Sequence, residues 1–312
     1  MRTYTERGEV AITLAPHSRF VVLLVVLGLL IPQVAALQVP HERDHEFKHL
    51  SSIGSRSSSL NTSQRFLPKN VLGNQRTLVI LVEFADVKHS YSESDISQLV
   101  FVNMRGYWEE VSYGKISITG KTLGWYTLGN AMSFYGGDSK RAIDDPNGDG
   151  EADSWWLIRD AVNVVDEVVN FKEYDHIITV HAGIGQESNS KASDNVWSVF
   201  FHDLSISTND GVNVTAGIVV PESESPGGIR SALGVFAHEF GHSLGLADLY
   251  MYRHRDVETL GDWSLMDHGE WLGSPPGSCP AHLEAWGRIQ LGWITPLTLQ
   301  PSGQAAYVSS LE

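Results

Sequence analysis

The chain has 312 residues, 42% hydrophobic and 19% charged, with nine Trp and ten Tyr; this is enough for one sizeable core and excludes a disordered or fibrous polymer. Its formal net charge of -15, with no basic stripe, excludes a nucleic-acid partner, because phosphates are held by clustered cations. The single cysteine, Cys279, excludes an intramolecular disulfide and a latency switch that places an upstream thiolate on a metal.

Phe20–Ile31 is an apolar run preceded by Arg2, Arg7 and Arg19 and followed by Val34-Ala35-Ala36. This is the layout of a secretory signal peptide (1–36) cleaved after Ala36, since the run is shorter than the roughly 20 apolar residues that span a bilayer. A secreted protein is expected, with membrane contact only if this segment stays uncleaved. Residues 37–75 are polar, without helical or strand period, and read as a leader or pro-segment. The folded domain is expected over 76–296, and 297–312 as the start of a C-terminal β segment that is cut short.

Thr77–Phe84 (TLVILVEF) predicts a strand buried on both faces. Ser92–Glu110 predicts a helix, with Ser92 and Asp95 in capping-box spacing and apolar residues along one face. Lys115–Thr119 returns to strand alternation; Trp155–Val169 is a second amphipathic helix and Tyr174–Val180 a further strand. Trp197–Phe201 and Val212–Val220 add strand candidates. Gly228–Leu244 predicts a helix that stops at Gly245, followed by a turn-rich stretch 253–280 and a short helix near Ala281–Gln290.

The chemistry concentrates in residues 238–248, HEFGHSLGLAD. His238 and His242 lie one helical turn apart on one face, so both imidazoles can bind one zinc. Glu239 can then serve as general base toward a water on the open side of the metal. Gly245 suits the left-handed position that ends a helix and lets the chain reverse, so that Asp248 can return as third ligand. Glu258 is the alternative third ligand, and Tyr250, Tyr252 and His268 are the nearest candidates to assist an oxyanion. Random placement of 13 His would yield the His-Glu-x-x-His part in roughly one chain in thirty, and the added Gly and Asp lower this by about two orders of magnitude.

A second metal candidate is the loop 144–153, DDPNGDGEAD. Asp145, Asn147, Asp149 and Asp153 fall at positions 1, 3, 5 and 9 of a calcium loop, with Gly150 at its sharp turn. Position 12 is Trp156 rather than Glu, so Glu151, Asp144 or Asp160 would have to complete the site; the alternative is a polar turn that caps the next helix.

HEFGHSLGLADLY (238–250), GDWSLMDHGEW (261–271), YWEEVSYGKISITG (107–120) and AWGRIQLGWI (285–294) together resemble the immune inhibitor A type of secreted metallopeptidases. The metzincin pattern has a third His where Asp248 stands here. The resemblance implies an α+β zincin or metzincin-like catalytic domain with a mixed twisted sheet, an active-site helix and a Met-turn at Met266. It also implies secretion, zinc and hydrolysis of protein or peptide substrates. The competing reading is a calcium-binding surface or adhesion module on a degenerate peptidase fold, against which the intact Glu239 counts.

Overall fold

The computed structural model describes residues 70–189, 191–224, 228–250 and 259–297. The signal-like segment, most of the leader, Tyr252, Glu258 and residues 298–312 lie outside the described residues. Five strands form one mixed sheet: β1 (Gly73–Glu83), β2 (Ile116–Thr127), β3 (His176–Ile184), β4 (Val199–Ser207) and β5 (Asn213–Ser223), in the order β2-β1-β3-β5-β4. β1 is parallel to β2 and β3, and β3 to β5; the edge strand β4 alone runs antiparallel. β1 opens at Gly73, inside the segment read as leader, because its first residues satisfy the ladder with polar, partly exposed side chains that carry no apolar signal.

The apolar run of β1 divides by strand alternation. Val79 and Leu81 join one core with Ile178, Val180, Ile218 and Val220; Leu78, Ile80 and Val82 join the other with Ile177 and Val219. The sheet is therefore covered on both faces, as parallel sheets require.

The predicted helix after Ser92 is present, and its capping box is complete: Ser92 Oγ accepts from Asp95 N, and Asp95 Oδ2 accepts from Ser92 N at 2.9 Å. It is not uniform. α1 (Glu93–Gln98) passes through a π-helical turn, Leu99–Met104, into α2 (Arg105–Val111). The buried Ile96, Val100, Met104 and Trp108 step by four, wider than the 3.6 of an α-helix, and the wider turn keeps them facing the sheet. A short α3 (Ser133–Gly136) precedes α4 (Trp155–Val165), which stops short of the predicted Val169. At that point Asp166 directs its carboxylate to the Asn209 N–H, and Val168 is left exposed.

α5 (Leu233–Ser243) follows a 3-10 turn, Ile229–Ala232, and packs on the core face shared with Trp108. Leu283 and Leu291, on either side of α6 (Ala285–Gln290), join that core too. Just beyond it, Trp293 is 2% exposed, meets Trp108 edge-on at 5.9 Å and donates from Nε1 to the Val71 carbonyl at 2.9 Å. Trp293 thus clamps the chain after α6 to the residues just before β1. Among the described residues no helix is long and apolar enough to cross a membrane.

Replacing Trp293 with Ala removes both the ring contact and this clamp, and is expected to cost about 3–5 kcal/mol in urea unfolding. A loss below about 1 kcal/mol would mean that the C-terminal strap is not part of the core.

Candidate metal centre

α5 is a poor helix by composition, since Gly234 and Gly241 each cost about 1 kcal/mol relative to Ala. The reason lies outside the helix. A Cβ on Gly234 would stand 1.9 Å from the Glu270 carbonyl oxygen, and one on Gly241 would stand 2.7 Å from Met266 Sδ. The two glycines let the segment 264–277 lie directly on α5, and Gly234 N donates to the Gly277 carbonyl at 2.9 Å.

That segment aims the first histidine. His238 Nδ1 lies 3.0 Å from the Leu265 carbonyl, and His242 Nδ1 lies 3.0 Å from the Leu246 carbonyl. A carbonyl only accepts, so both Nδ1 atoms carry the proton and both Nε2 lone pairs point away from these anchors. The lone pairs converge: His238 Nε2 and His242 Nε2 are 3.1 Å apart, and Asp248 Oδ1 lies 3.0 Å from the first and 3.2 Å from the second. Gly245 (φ +90°) makes this possible by ending α5 in the left-handed region, with Leu246 N donating to the Gly241 carbonyl and Gly245 N to that of His242. Leu249 N then donates to the Met266 carbonyl at 2.8 Å, which ties the returning chain to the same turn that anchors His238.

This triangle fits a small dication. Ligand atoms 2.0–2.1 Å from a tetrahedral zinc are about 3.3 Å from one another, close to the spacing found here. Three acceptors at such distances repel unless a positive charge lies between them. The electrostatics of the site show the same demand. Burial pulls the His238 imidazole down, yet Glu270 and Asp248 outweigh it and hold the ring well above its usual range; His242 is raised too, against burial, by Asp248. Asp248 lies well below the usual carboxylate range despite its burial, because His242 and His238 favour its charge.

Glu239 is 7% exposed, and one of its carboxylate oxygens lies within 4.8 Å of a ring nitrogen of each histidine. Its Oε2 has no hydrogen-bond partner among the described residues. Burial, opposed by His242 and His238, raises its carboxyl to about 7. Tyr250 brings its ring to 6.5 Å from that of His238. His268 is one-third exposed, with Nε2 4.0 Å from Asp267 Oδ1.

Two acids on this segment carried no sequence signal. Glu270 Oε2 lies 3.4 Å from His238 Nδ1, behind the ring, and burial raises its carboxyl to about 7 against the pull of His238. Asp267 is 1% exposed and holds the turn around Met266: it accepts from Thr259 Oγ1, Leu260 N, Gly261 N and His268 N at 2.7–2.9 Å. Both stand within GDWSLMDHGEW, but only the fold shows which acid meets which donor.

The loop 144–153 closes largely on itself. Asp145 Oδ1 accepts from Asp149 N, and its Oδ2 from Gly150 N and Ser139 Oγ; Asn147 Oδ1 accepts from Asp149 N, and Asp149 Oδ1 from Glu151 N. Gly150 has φ +96°, the sharp turn expected of it. Glu151 is exposed, whereas Asp153 is 4% exposed and its Oδ2 has no partner among the described residues.

Residues 169–294 match the family model for the immune inhibitor A peptidase M6 catalytic domain. The chain is 28% identical over 219 residues to the pre-pro-metalloprotease PrtV of Vibrio cholerae serotype O1, covering 60% of this chain and 23% of that protein. It is 27% identical over 262 residues to immune inhibitor A of Bacillus thuringiensis subsp. alesti, covering 66% of this chain and 38% of the relative. The chain thus spans less than two fifths of the length of these relatives. Among solved structures, OgpA of Akkermansia muciniphila is similar at 15% identity and TM-score 0.42, with 72% of this chain and 61% of the other covered. Metalloproteinase-II of Bacteroides fragilis gives 12% identity and TM-score 0.37, with 76% and 60% covered.

Gly234→Ala raises helix propensity yet forces a methyl against the Glu270 carbonyl; a net loss of about 1–3 kcal/mol is expected, together with weaker metal retention. Thermal unfolding and metal content measure both, and an unchanged or higher Tm would show that the 264–277 segment does not need the glycine.

Proposed function

We propose that this chain, whose residues 169–294 carry an immune inhibitor A-type metallopeptidase domain, is a secreted zinc endopeptidase acting on proteins or peptides. The observation that carries the reading is the convergence of His238 Nε2, His242 Nε2 and Asp248 Oδ1 within 3.2 Å, beside a buried and partly unpartnered Glu239. His238, His242 and Asp248 would hold zinc as three protein ligands and leave one position open, the arrangement of a catalytic rather than a structural site. Zinc bound there supplies Lewis acidity toward a water and the scissile carbonyl.

The chain's own residues do the rest. Glu239 accepts the proton of the attacking water and delivers it to the leaving amine, a role suited to a carboxyl already raised to about 7 by burial. The Leu265 and Leu246 carbonyls keep both Nε2 atoms free for the metal, and Glu270 behind His238 strengthens that ring as a donor. Met266 supports α5 from below at Gly241. The N-terminal layout supports export, with 1–36 as signal peptide, 37–75 as leader and 76–296 as the catalytic unit.

The test pairs zinc content with casein hydrolysis for the native protein and Glu239→Gln. One zinc per chain in both, with activity lower by at least about 10²-fold in the variant, is expected. An active Glu239→Gln protein, or a zinc-free active one, would overturn the reading.

Calcium in the loop 145–153 rests on Asp153, whose buried Oδ2 has no hydrogen-bond partner among the described residues, while Asp145, Asn147, Asp149 and Glu151 belong to the same turn. Burial first, then Asp149 and Asp145, raise the Asp153 carboxyl from 3.8 to about 6. A carboxyl raised on folding contributes stability below its unfolded pKa and loses that contribution as pH rises through the folded value. Calcium-free protein should therefore weaken at this loop between about pH 4 and 6, and added calcium should raise Tm near neutrality but not near pH 4. The same calcium response in Asp153→Asn would remove the loop from consideration.

A further inference from the structure

The far end of the β4–β5 hairpin carries an acceptor group that the metal centre does not use. Residues 213–215 read Asn-Val-Thr, the tripeptide pattern Asn-x-Ser/Thr of N-linked glycosylation. Asn213 opens β5 and pairs with Ser207, the last residue of β4. Strand alternation divides the tripeptide. Val214 is 3% exposed and joins the core with Leu204 and Ile206, whereas Asn213 and Thr215 are exposed on the opposite face. The carboxamide and the hydroxyl two residues on therefore stand together on open surface, and the residue between them is the one that is buried.

The fold does not need an asparagine here. Asn is depleted in strands and favoured in turns, yet the turn before β5 is closed by other groups. Thr208 N donates to the Val212 carbonyl at 2.9 Å, and Val212 N donates to Asp210 Oδ1 at 3.0 Å. Asp210 also fastens the turn to the rest of the domain, since its Oδ2 accepts from Phe171 N. Among the described residues the Asn213 carboxamide bonds only to Ser205 Oγ, at 3.3 Å from Nδ2 and 3.4 Å from Oδ1, which is the long end of a hydrogen bond. The side chains beside it on this face, Ser205, Ser207 and Thr215, are small, uncharged and exposed, and leave room for a large substituent on Nδ2.

We propose that Asn213 is N-glycosylated, with a lipid-linked oligosaccharide as the donor. In the transfer, Asn213 Nδ2 forms a bond to the anomeric carbon of the first sugar and loses one proton. The bond from that carbon to the phosphate oxygen of the lipid carrier breaks, and the lipid phosphate leaves; nothing is oxidised or reduced. The inference rests on the export reading, because this modification belongs to chains that leave the cytoplasm. A bulky, solubilising group at this place stands beside β4, the edge strand of the sheet, and hinders edge-to-edge pairing with another chain.

The test is peptide mass spectrometry on the protein recovered from its own cells and from their medium, in the native form and as Asn213→Gln, Thr215→Ala and Thr215→Ser. Trypsin releases residues 192–230 as one peptide, in which Asn213 is the only Asn-x-Ser/Thr site. The expected result is a sugar mass localised to Asn213 in the native protein and in Thr215→Ser, and its loss in Asn213→Gln and Thr215→Ala. An unmodified 192–230 peptide in both pools overturns the proposal. So does a sugar mass that persists in Thr215→Ala, since attachment without the hydroxyl is not transfer to this tripeptide. Export is read separately: unmodified protein in the medium sinks the glycosylation and leaves secretion standing, whereas modified protein confined to the cells supports the glycosylation and counts against secretion.

Discussion

Three electron-rich atoms held 3.0–3.2 Å apart are the constraint around which this molecule is built. Two imidazole nitrogens and a carboxylate oxygen at that spacing are stable only with positive charge between them. Each is kept there by an independent anchor: the Leu265 carbonyl behind His238, the Leu246 carbonyl behind His242, and the Gly245 reversal before Asp248. Because Met266 N–H, Met266 C=O and Leu265 C=O are all engaged, one turn of chain positions two of the three ligand-bearing segments.

Stability and function compete on α5. A helix of 11 residues with two interior glycines would not persist alone, and what holds it is the packing of Val235, Phe236, Ala237 and Phe240 against the core on one face of the sheet. The glycines forfeit helix propensity so that the 264–277 segment can approach closely enough for its carbonyls to reach the histidines. The parallel strands beneath form a rigid base, with apolar side chains alternating between two cores, so the ligand-bearing helix rests on the part of the fold least able to move.

The acidity of the chain has two origins that composition cannot separate. Much of it is surface charge, which favours solubility. A second part is inside: Asp144, Asp145, Asp153, Glu224, Glu239 and Asp267 are all buried, and Asp144, Asp153 and Glu239 each have one carboxylate oxygen without a hydrogen-bond partner among the described residues. Net charge counts both alike, whereas their energetic meaning is opposite, because a buried carboxylate has to be compensated locally.

The sequence by itself determined the strands of the central sheet, the capping box at Ser92, the two histidines on one helical face and the glycine that ends that helix. These follow from periods and single-residue conformational preferences, which act within a few residues and so leave a local imprint. It under-read where tertiary contacts override local pattern, as in the π turn inside the helix after Ser92 and the polar first residues of β1. The spacing behind Gly245 already pointed to Asp248, whereas only the tertiary structure decided that Glu270 stands behind His238 and that Asp267 holds the turn around Met266. Glu270 and His238 are 32 positions apart, and no local rule of spacing carries information over such a distance; the packing of the 264–277 segment on α5 supplies it.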